Sequence, residues 1–435
     1  MKRNIRVAGV LALTVGTALL ASGCSANNGG SSSGSDNGNG KVSMTFWDNS
    51  TTGPGKAFWQ KTVKDFEATH PNVTIKIQTV QNEDFDGKLQ TALNSGDAPD
   101  IFLQRGGGKM AAMAAAGQLQ DLSNSVDATT KKNIGDGAFK SQSIDGKLYA
   151  MPISVAPEGI YYSKDLFAKA GISTPPSTID ELNTAVTKLK ATGVAPIAVG
   201  AKDAWPAAHW YYNFALRECS KSTLDKAAST LKFDDPCWIK AGEDVKALNS
   251  TDPFNNGFLT TPAQQGAGSS AGLLANHKAA MELMGSWDPG VIASLTPDQK
   301  PLPDLGWFPF PAISGGKGAP EAIMGSVGGD SCSVKAPKEC AEFLNYATTT
   351  KVQEGYYKAF DAIPVNKQAQ SVITQPYLKS AMDAFNKAPY ASQFLDTLYG
   401  QNVGNALNVG VVNLLAGKGS PADIIKTVNQ AAAKG

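Results

Sequence analysis

Between Val42 and Leu103 the apolar pattern changes period four times, and this limits the folds open to the chain. Val42-Ser43-Met44-Thr45-Phe46-Trp47 alternates as a half-buried strand does. Phe58, Trp59, Val63 and Phe66 then recur at helical spacing, and His70-Pro71-Asn72 closes that helix. Val73 to Ile77 alternates again. Asp84 to Ser95 is helical, with Phe85, Leu89 and Leu93 on one stripe, and Asp100 to Leu103 is a short buried strand. Strand–helix–strand–helix–strand predicts a mostly parallel α/β sheet.

A second α/β unit follows. Ile160–Tyr162, Pro196–Val199 and Ala279–Leu283 read as strands, Lys164–Ala170 and Thr178–Ala191 as helices, and Trp210–Asn249 as largely helical with a break near Asp234-Asp235-Pro236. Asp180 and Glu181 in the first turn of the Thr178–Ala191 helix favour its dipole. Three extended segments are expected to cross between the units: one near Met151, one at Leu305–Pro311 and one at Ala362-Ile363-Pro364. The tail after Gln375 reads as helical.

The chain from Lys41 to Gly435 is too long for one ordinary domain and suits two or three. Its hydrophobic content of 42% is enough for a true core. The formal charge is +1, and falls to −2 if Lys2, Arg3 and Arg6 are removed. Neither value fits a nucleic-acid binder, which carries a basic bias.

Residues 1–24 have a basic head, an apolar run from Val7 to Ala21, and the close Leu20-Ala21-Ser22-Gly23-Cys24. The run is about the length of a signal-peptide core and short of the roughly 20 residues a membrane span needs. The close resembles a bacterial lipobox, which implies that Cys24 carries a lipid. Ser25 to Gly40 is built of Gly, Ser and Asn with one Ala and one Asp. Such a segment behaves as a flexible coil reaching roughly 20–24 Å. The expected place is therefore outside the cytoplasm, anchored to the cell membrane.

Four further cysteines fit an oxidising compartment. Cys219, Cys237, Cys332 and Cys340 allow three pairings. The local ones, Cys219–Cys237 and Cys332–Cys340, are preferred because each closes a short loop. There is no C-x-x-C pair and there are three histidines, so neither a metal site nor a cofactor is expected.

The ordered pieces Asp97-Ala98-Pro99-Asp100-Ile101, Gly117-Gln118-Leu119, Ala150-Met151-Pro152, Ile160 to Phe167, Lys278 to Met281, Gly285-Ser286-Trp287 and Ile363-Pro364-Val365 span nearly all of the chain. Together they resemble extracellular solute-binding proteins of sugar importers of the ATP-binding-cassette type, in the branch that includes the maltose-binding protein. The resemblance implies a two-lobe, type II periplasmic-binding-protein-like α/β fold with hinge crossings and a ligand cleft between the lobes. It implies capture of a carbohydrate by hinge closure, delivery to permease subunits, and a monomer. The expected division is a signal peptide at 1–23, a tether at 24–40, a first lobe from 41–154 with 312–361, and a second from 155–311 with 362–435.

A sugar offers apolar C–H faces and polar edges. Its site needs flat rings together with carboxylates, amides, Arg or His, placed at strand ends. Trp47 and Asp48 end the first strand, Gln81 follows the second, and Gln104 and Arg105 follow the third. The maltose branch has a stacking tryptophan where Gln104 stands. Glu158 follows the first crossing, two places after the maltose branch's glutamate. Trp205 and His209 lie in a loop after a strand, beside Trp210, for which a core place is expected. Trp287, in Gly285-Ser286-Trp287-Asp288, falls where the family stacks a sugar. Asp330, after Gly328-Gly329, and Asp361 complete the candidates.

Three other classes compete. A glycosidase needs two carboxylates about 5–5.5 Å or 6.5–9.5 Å apart, but no hydrolase motif is present. A binder of peptide, metal or anion is the second, and a surface adhesin, which would show repeats, is the third.

Overall fold

The computed structural model describes residues 40–434. The expected signal peptide, Cys24 and nearly all of the tether lie outside the described residues.

The strands are β1 (Val42–Asp48), β2 (Val73–Thr79), β3 (Ile101–Gln104), a small hairpin of β4 (Ser143–Ile144) and β5 (Lys147–Leu148), β6 (Met151–Ser163), β7 (Ala195–Ala198), β8 (Ala279–Gly285), β9 (Leu305–Phe308), β10 (Ile323–Cys332), β11 (Ile363–Pro364) and β12 (Ala391–Ser392). The main path runs β2-β1-β3-β10-β6-β8-β7, with β9 and β11 on β6 and β12 on β10. β1 pairs in parallel with β2 and β3, while β10 runs antiparallel to β3 and β6.

The alternation in β1 places Met44 and Phe46 inward. Phe46 meets Trp59 edge-on at 5.0 Å and Phe343 at 5.9 Å. Trp59 comes from the helix Gly53–Thr69, which also buries Val63 and Phe66. The opposite face of the same strands is covered by the helix Asn82–Ser95 through Phe85, Leu89 and Leu93, packed with Phe102 and Met110. The second half repeats the plan. Ile160 faces a core built on Trp210, Tyr211, Phe214 and Trp238, and its neighbour Tyr161 faces another that holds Met284, Trp307 and Tyr377. Side chains of this size each contribute about 1.5–3 kcal/mol by leaving water, and both halves have enough of them to hold a sandwich together.

β6 belongs to both halves. Met151 and Ile153 sit in the core of the first, and Ile160 in the core of the second. Residues Met151–Pro157 pair with β10, Glu158–Tyr162 with β8, and Ile160–Ser163 with β9. β10 makes the return: Met324 packs in the Trp210 core and Cys332 in the Phe46 core. Leu305–Pro311, expected as a crossing, stays in the second half, because Phe308 and Phe310 fill the Trp210 core. The crossings are β6, β10 and the short β11, which pairs with Ser154 and Val155.

The region read as helical with a break near Asp234-Asp235-Pro236 has that break and a second at Cys219-Ser220, which gives three helices: Trp205–Glu218, Lys221–Thr230 and Cys237–Ser250. The first and third are joined by the disulfide Cys219–Cys237, and Cys332–Cys340 ties β10 to the helix Glu339–Ala347. The helical tail is interrupted between Lys387 and Leu395, where β12 pairs with β10 and Phe394 turns into the Trp210 core. Among the described residues no helix is long and apolar enough to cross a membrane.

Candidate functional site

The ends of β1, β3 and β10 and the middle of β6 converge where the two halves meet. Trp47 pairs with Phe102 and Asp330 with Leu103, so Asp48 and Asp330 flank Leu103 at one level of the sheet. Both are buried, at 4% and 2% exposure. Asp48 accepts the Ser50 N–H at 2.7 Å. Burial raises the Asp48 carboxyl to about 6. Burial, with the neighbouring Asp48 charge, raises Asp330 well above the carboxylate range. Among the described residues neither has a cationic partner. The pair can therefore both donate and accept, as a set of hydroxyls requires. At Gly329 an added Cβ would stand 2.6 Å from the Met151 carbonyl, so a side chain there would push β10 off β6.

A second polar network is held by the helix Trp205–Glu218 and the later part of β6. His209 and Asn213 lie one helical turn apart and converge on Glu158 of β6. His209 Nδ1 meets Glu158 Oε1, and Asn213 donates to Oε2 at 2.7 Å. All three are at least 97% buried. Aromatic rings surround the network. His209 stacks on Phe394 with centroids 4.8 Å apart and planes 12° from parallel. Trp205 lies 5.0 Å from His209 and 6.3 Å from Trp287, and Trp287 lies 5.5 Å from Phe394. Trp205 and Trp287 are half-buried. The helix begins under backbone tension at Ala204, whose φ of 63° is unfavourable for a residue with a Cβ. Glu158 pairs across the sheet with Gly285, and the Trp287 ring lies over Gly285, where a Cβ would come within 2.1 Å of it. The arrangement offers flat faces for C–H surfaces beside a fixed array of acceptors and donors.

The remaining candidates separate. Trp47 is half-buried against the core of Phe85 and Phe102. Trp210 is core, as expected. Gln104 turns inward: its Oε1 accepts the N–H groups of Arg105 and Gly106, and its amide nitrogen reaches Ser331. It is a turn brace, and the structure does not bring it to the site. The Arg105 guanidinium is engaged by Asp86 at 2.7 Å and Asn82 at 3.0 Å. The Arg105 carbonyl accepts from Gln393 at 2.7 Å, so this residue does link the halves, through its backbone. Gln81 is exposed and joins the halves by its side chain, accepting from Gln265 at 2.8 Å. Gln265 also donates to Glu83 at 3.2 Å. Asp361 sits at the end of a helix with φ 45° and accepts from Tyr377, and burial raises its carboxyl to about 6. Sequence reasoning missed Phe394, Asn213 and Gln265. The spacing of His209 and Asn213 was a readable signal for Asn213, but nothing local marks the other two. Among the described residues no group of three or more His, Cys, Asp or Glu could hold a metal.

A family model described as bacterial extracellular solute-binding protein matches residues 48–354. The chain is 28% identical over 314 residues to a multiple sugar-binding protein of Streptococcus mutans, covering 70% of this chain and 71% of that one. It is 29% identical over 447 residues to a diacetylchitobiose-binding protein of Streptomyces coelicolor, covering 98% and 97%. A solved chitin oligosaccharide binding protein superposes with a TM-score of 0.82 at 26% identity, covering 91% and 98%.

Proposed function

Because the chain belongs to the bacterial extracellular solute-binding protein family, we propose that it captures a mono- or oligosaccharide outside the cell and hands it, unaltered, to the permease of an importer driven by ATP. The observation that carries this reading is the set of rings Trp205, Trp287 and Phe394 ranged round the Glu158–His209–Asn213 network. The likeness to proteins named for sugar and diacetylchitobiose binding supports it. Asp48, Asp330 and Asp361 supply further hydroxyl partners across the cleft. The first lobe is 41–154 with the later part of 312–361, and the second is 155–311 with 362–435; the return falls within β10, since Ala322 and Met324 still pack in the Trp210 core. Closure brings Gln265 to Gln81 and Glu83 over the mouth. Cys24 carries the lipid that keeps the monomeric protein beside its permease, and Cys24→Ala should release it to the medium.

The test is a thermal-shift and tryptophan-fluorescence screen against neutral oligosaccharides, N,N′-diacetylchitobiose among them. A saturable rise in melting temperature with a change in emission is expected, and the sugar should be recovered intact. A panel that leaves both signals flat would refute sugar capture, and cleaved products would refute simple delivery.

A further inference from the structure

Beneath the aromatic wall lies a pair of acids that the binding role leaves unused. Glu282 is on β8, paired across the sheet with Tyr161, and Asp288 opens the helix Asp288–Leu295. They are 1% and 0% exposed. All four carboxylate oxygens are shut off from water without a hydrogen-bond donor among the described residues. The Ser270 hydroxyl, which donates to the Ala263 carbonyl at 3.0 Å, also lies near Glu282 and eases its charge, but by less than burial and the Asp288 charge oppose it. The helix and strand that carry the two acids also bury Met284 and Ile292 in an apolar core with Leu274. Two bare like charges cannot be held together in such a place. The other ionisable groups facing the pair do not relieve it. The Tyr161 hydroxyl is buried without a partner, Asp361 is taken by Tyr377, and Glu158 by His209 and Asn213. No cation pairs with either acid among the described residues.

We propose that Glu282 and Asp288 share a proton in the resting protein, and that this proton holds Trp287 in place, so that its loss at alkaline pH loosens the wall and weakens ligand binding. Trp287 is the residue before Asp288, and its ring lies over Gly285, three residues after Glu282. The backbone that carries the indole is therefore bracketed by the two acids. When both ionise, the start of the helix must move away from β8, and the ring moves with it. Burial pushes both carboxyls up, and the Asp288 charge pushes Glu282 further. The folded protein thus binds more protons than the unfolded chain. The pair's contribution to stability is present below the ordinary carboxylate range and falls as pH rises above it.

The second half of this inference rests on Trp287 being part of the sugar wall, and the first half does not. The experiment separates them. Ligand-free parent, E282Q and D288N are melted from pH 5 to pH 9, with tryptophan emission followed against W287F. Each amide can donate where the proton sat. The parent should lose stability as pH rises and shift its Trp287 emission, and both variants should be flatter by about one proton. N,N′-diacetylchitobiose affinity should fall about tenfold from pH 6 to pH 9 in the parent and change little in the variants. Should neither variant fold, infrared spectroscopy of the parent decides, since a protonated buried carboxyl must be visible at neutral pH. Its absence, equal pH slopes in all three proteins, or stabilisation of the parent by added calcium or sodium would overturn the proposal. Absence of sugar binding at every pH would remove only the ligand-linked half, leaving the melting and emission results to judge the pair.

Discussion

Replacing Trp287 by Ala is the sharpest test of the wall. The indole is half-buried, with one side over Gly285 and its rim against Phe394 and Trp205. A tryptophan presents about 150–250 Å² in all, so an open face offers roughly 60 Å² to a sugar. At about 25 cal/mol per Å², with a similar area of C–H surface covered on the ligand, loss of stacking is worth about 1.5–3 kcal/mol, a ten- to hundredfold weakening. The fold also loses packing. A fully buried tryptophan truncated to Ala costs about 3–5 kcal/mol, and a half-buried one roughly half of that. Titration calorimetry on W287A, beside a melting curve, should show both effects. W287F, which keeps a flat ring, should recover most of the affinity. An alanine variant that is folded and binds within twofold of the parent would exclude the indole from the site.

Three further outcomes are expected. Removing the Gln265 amide (Q265A) breaks the bonds to Gln81 and Glu83 across the mouth, and stopped-flow kinetics should show sugar leaving roughly fivefold faster with little change in association. Asp86 holds both Arg105 and Lys109, and their charges keep its carboxyl far below the usual range despite burial. Its support is therefore present above about pH 4 and lost only in strong acid. D86A should lower stability by about 2–3 kcal/mol at pH 7, and unfolding that matches the parent there would contradict this account. Opening the Cys219–Cys237 bridge with C219A/C237A frees a loop of separation 18 and should cost about 3 kcal/mol in denaturant melts.

The first α/β unit could be read directly, because β1, β2 and the two helices that flank them find their first partners close in sequence. Phe46 finds Trp59, and Phe85 lies beside Leu89. The site was only partly legible. Trp205, His209, Glu158 and Trp287 stand out by type and by their place after strands, and the structure gathers them. Gln104 looked like a ligand residue because its partner Ser331 is 227 positions away. Phe394 was hidden in a stretch that reads as helix until β12 pairs with β10. Leu305–Pro311 looked like a crossing because its prolines mark extended chain. Its destination depends on Phe308 and Phe310, which only the assembled core explains. Glu282 was silent, since one acid in a buried strand carries no pattern.

The 13-residue β6 has a mechanical corollary. A clamp whose jaws meet on loose linkers can unfold one jaw at a time. Here a single plank, clasped by β10 over its first half and by β8 and β9 over its second, is nailed into both jaws, so neither can melt without tearing the other's ladder. Calorimetry should therefore record one endotherm for the whole body, and opening should proceed by twist spread along the plank.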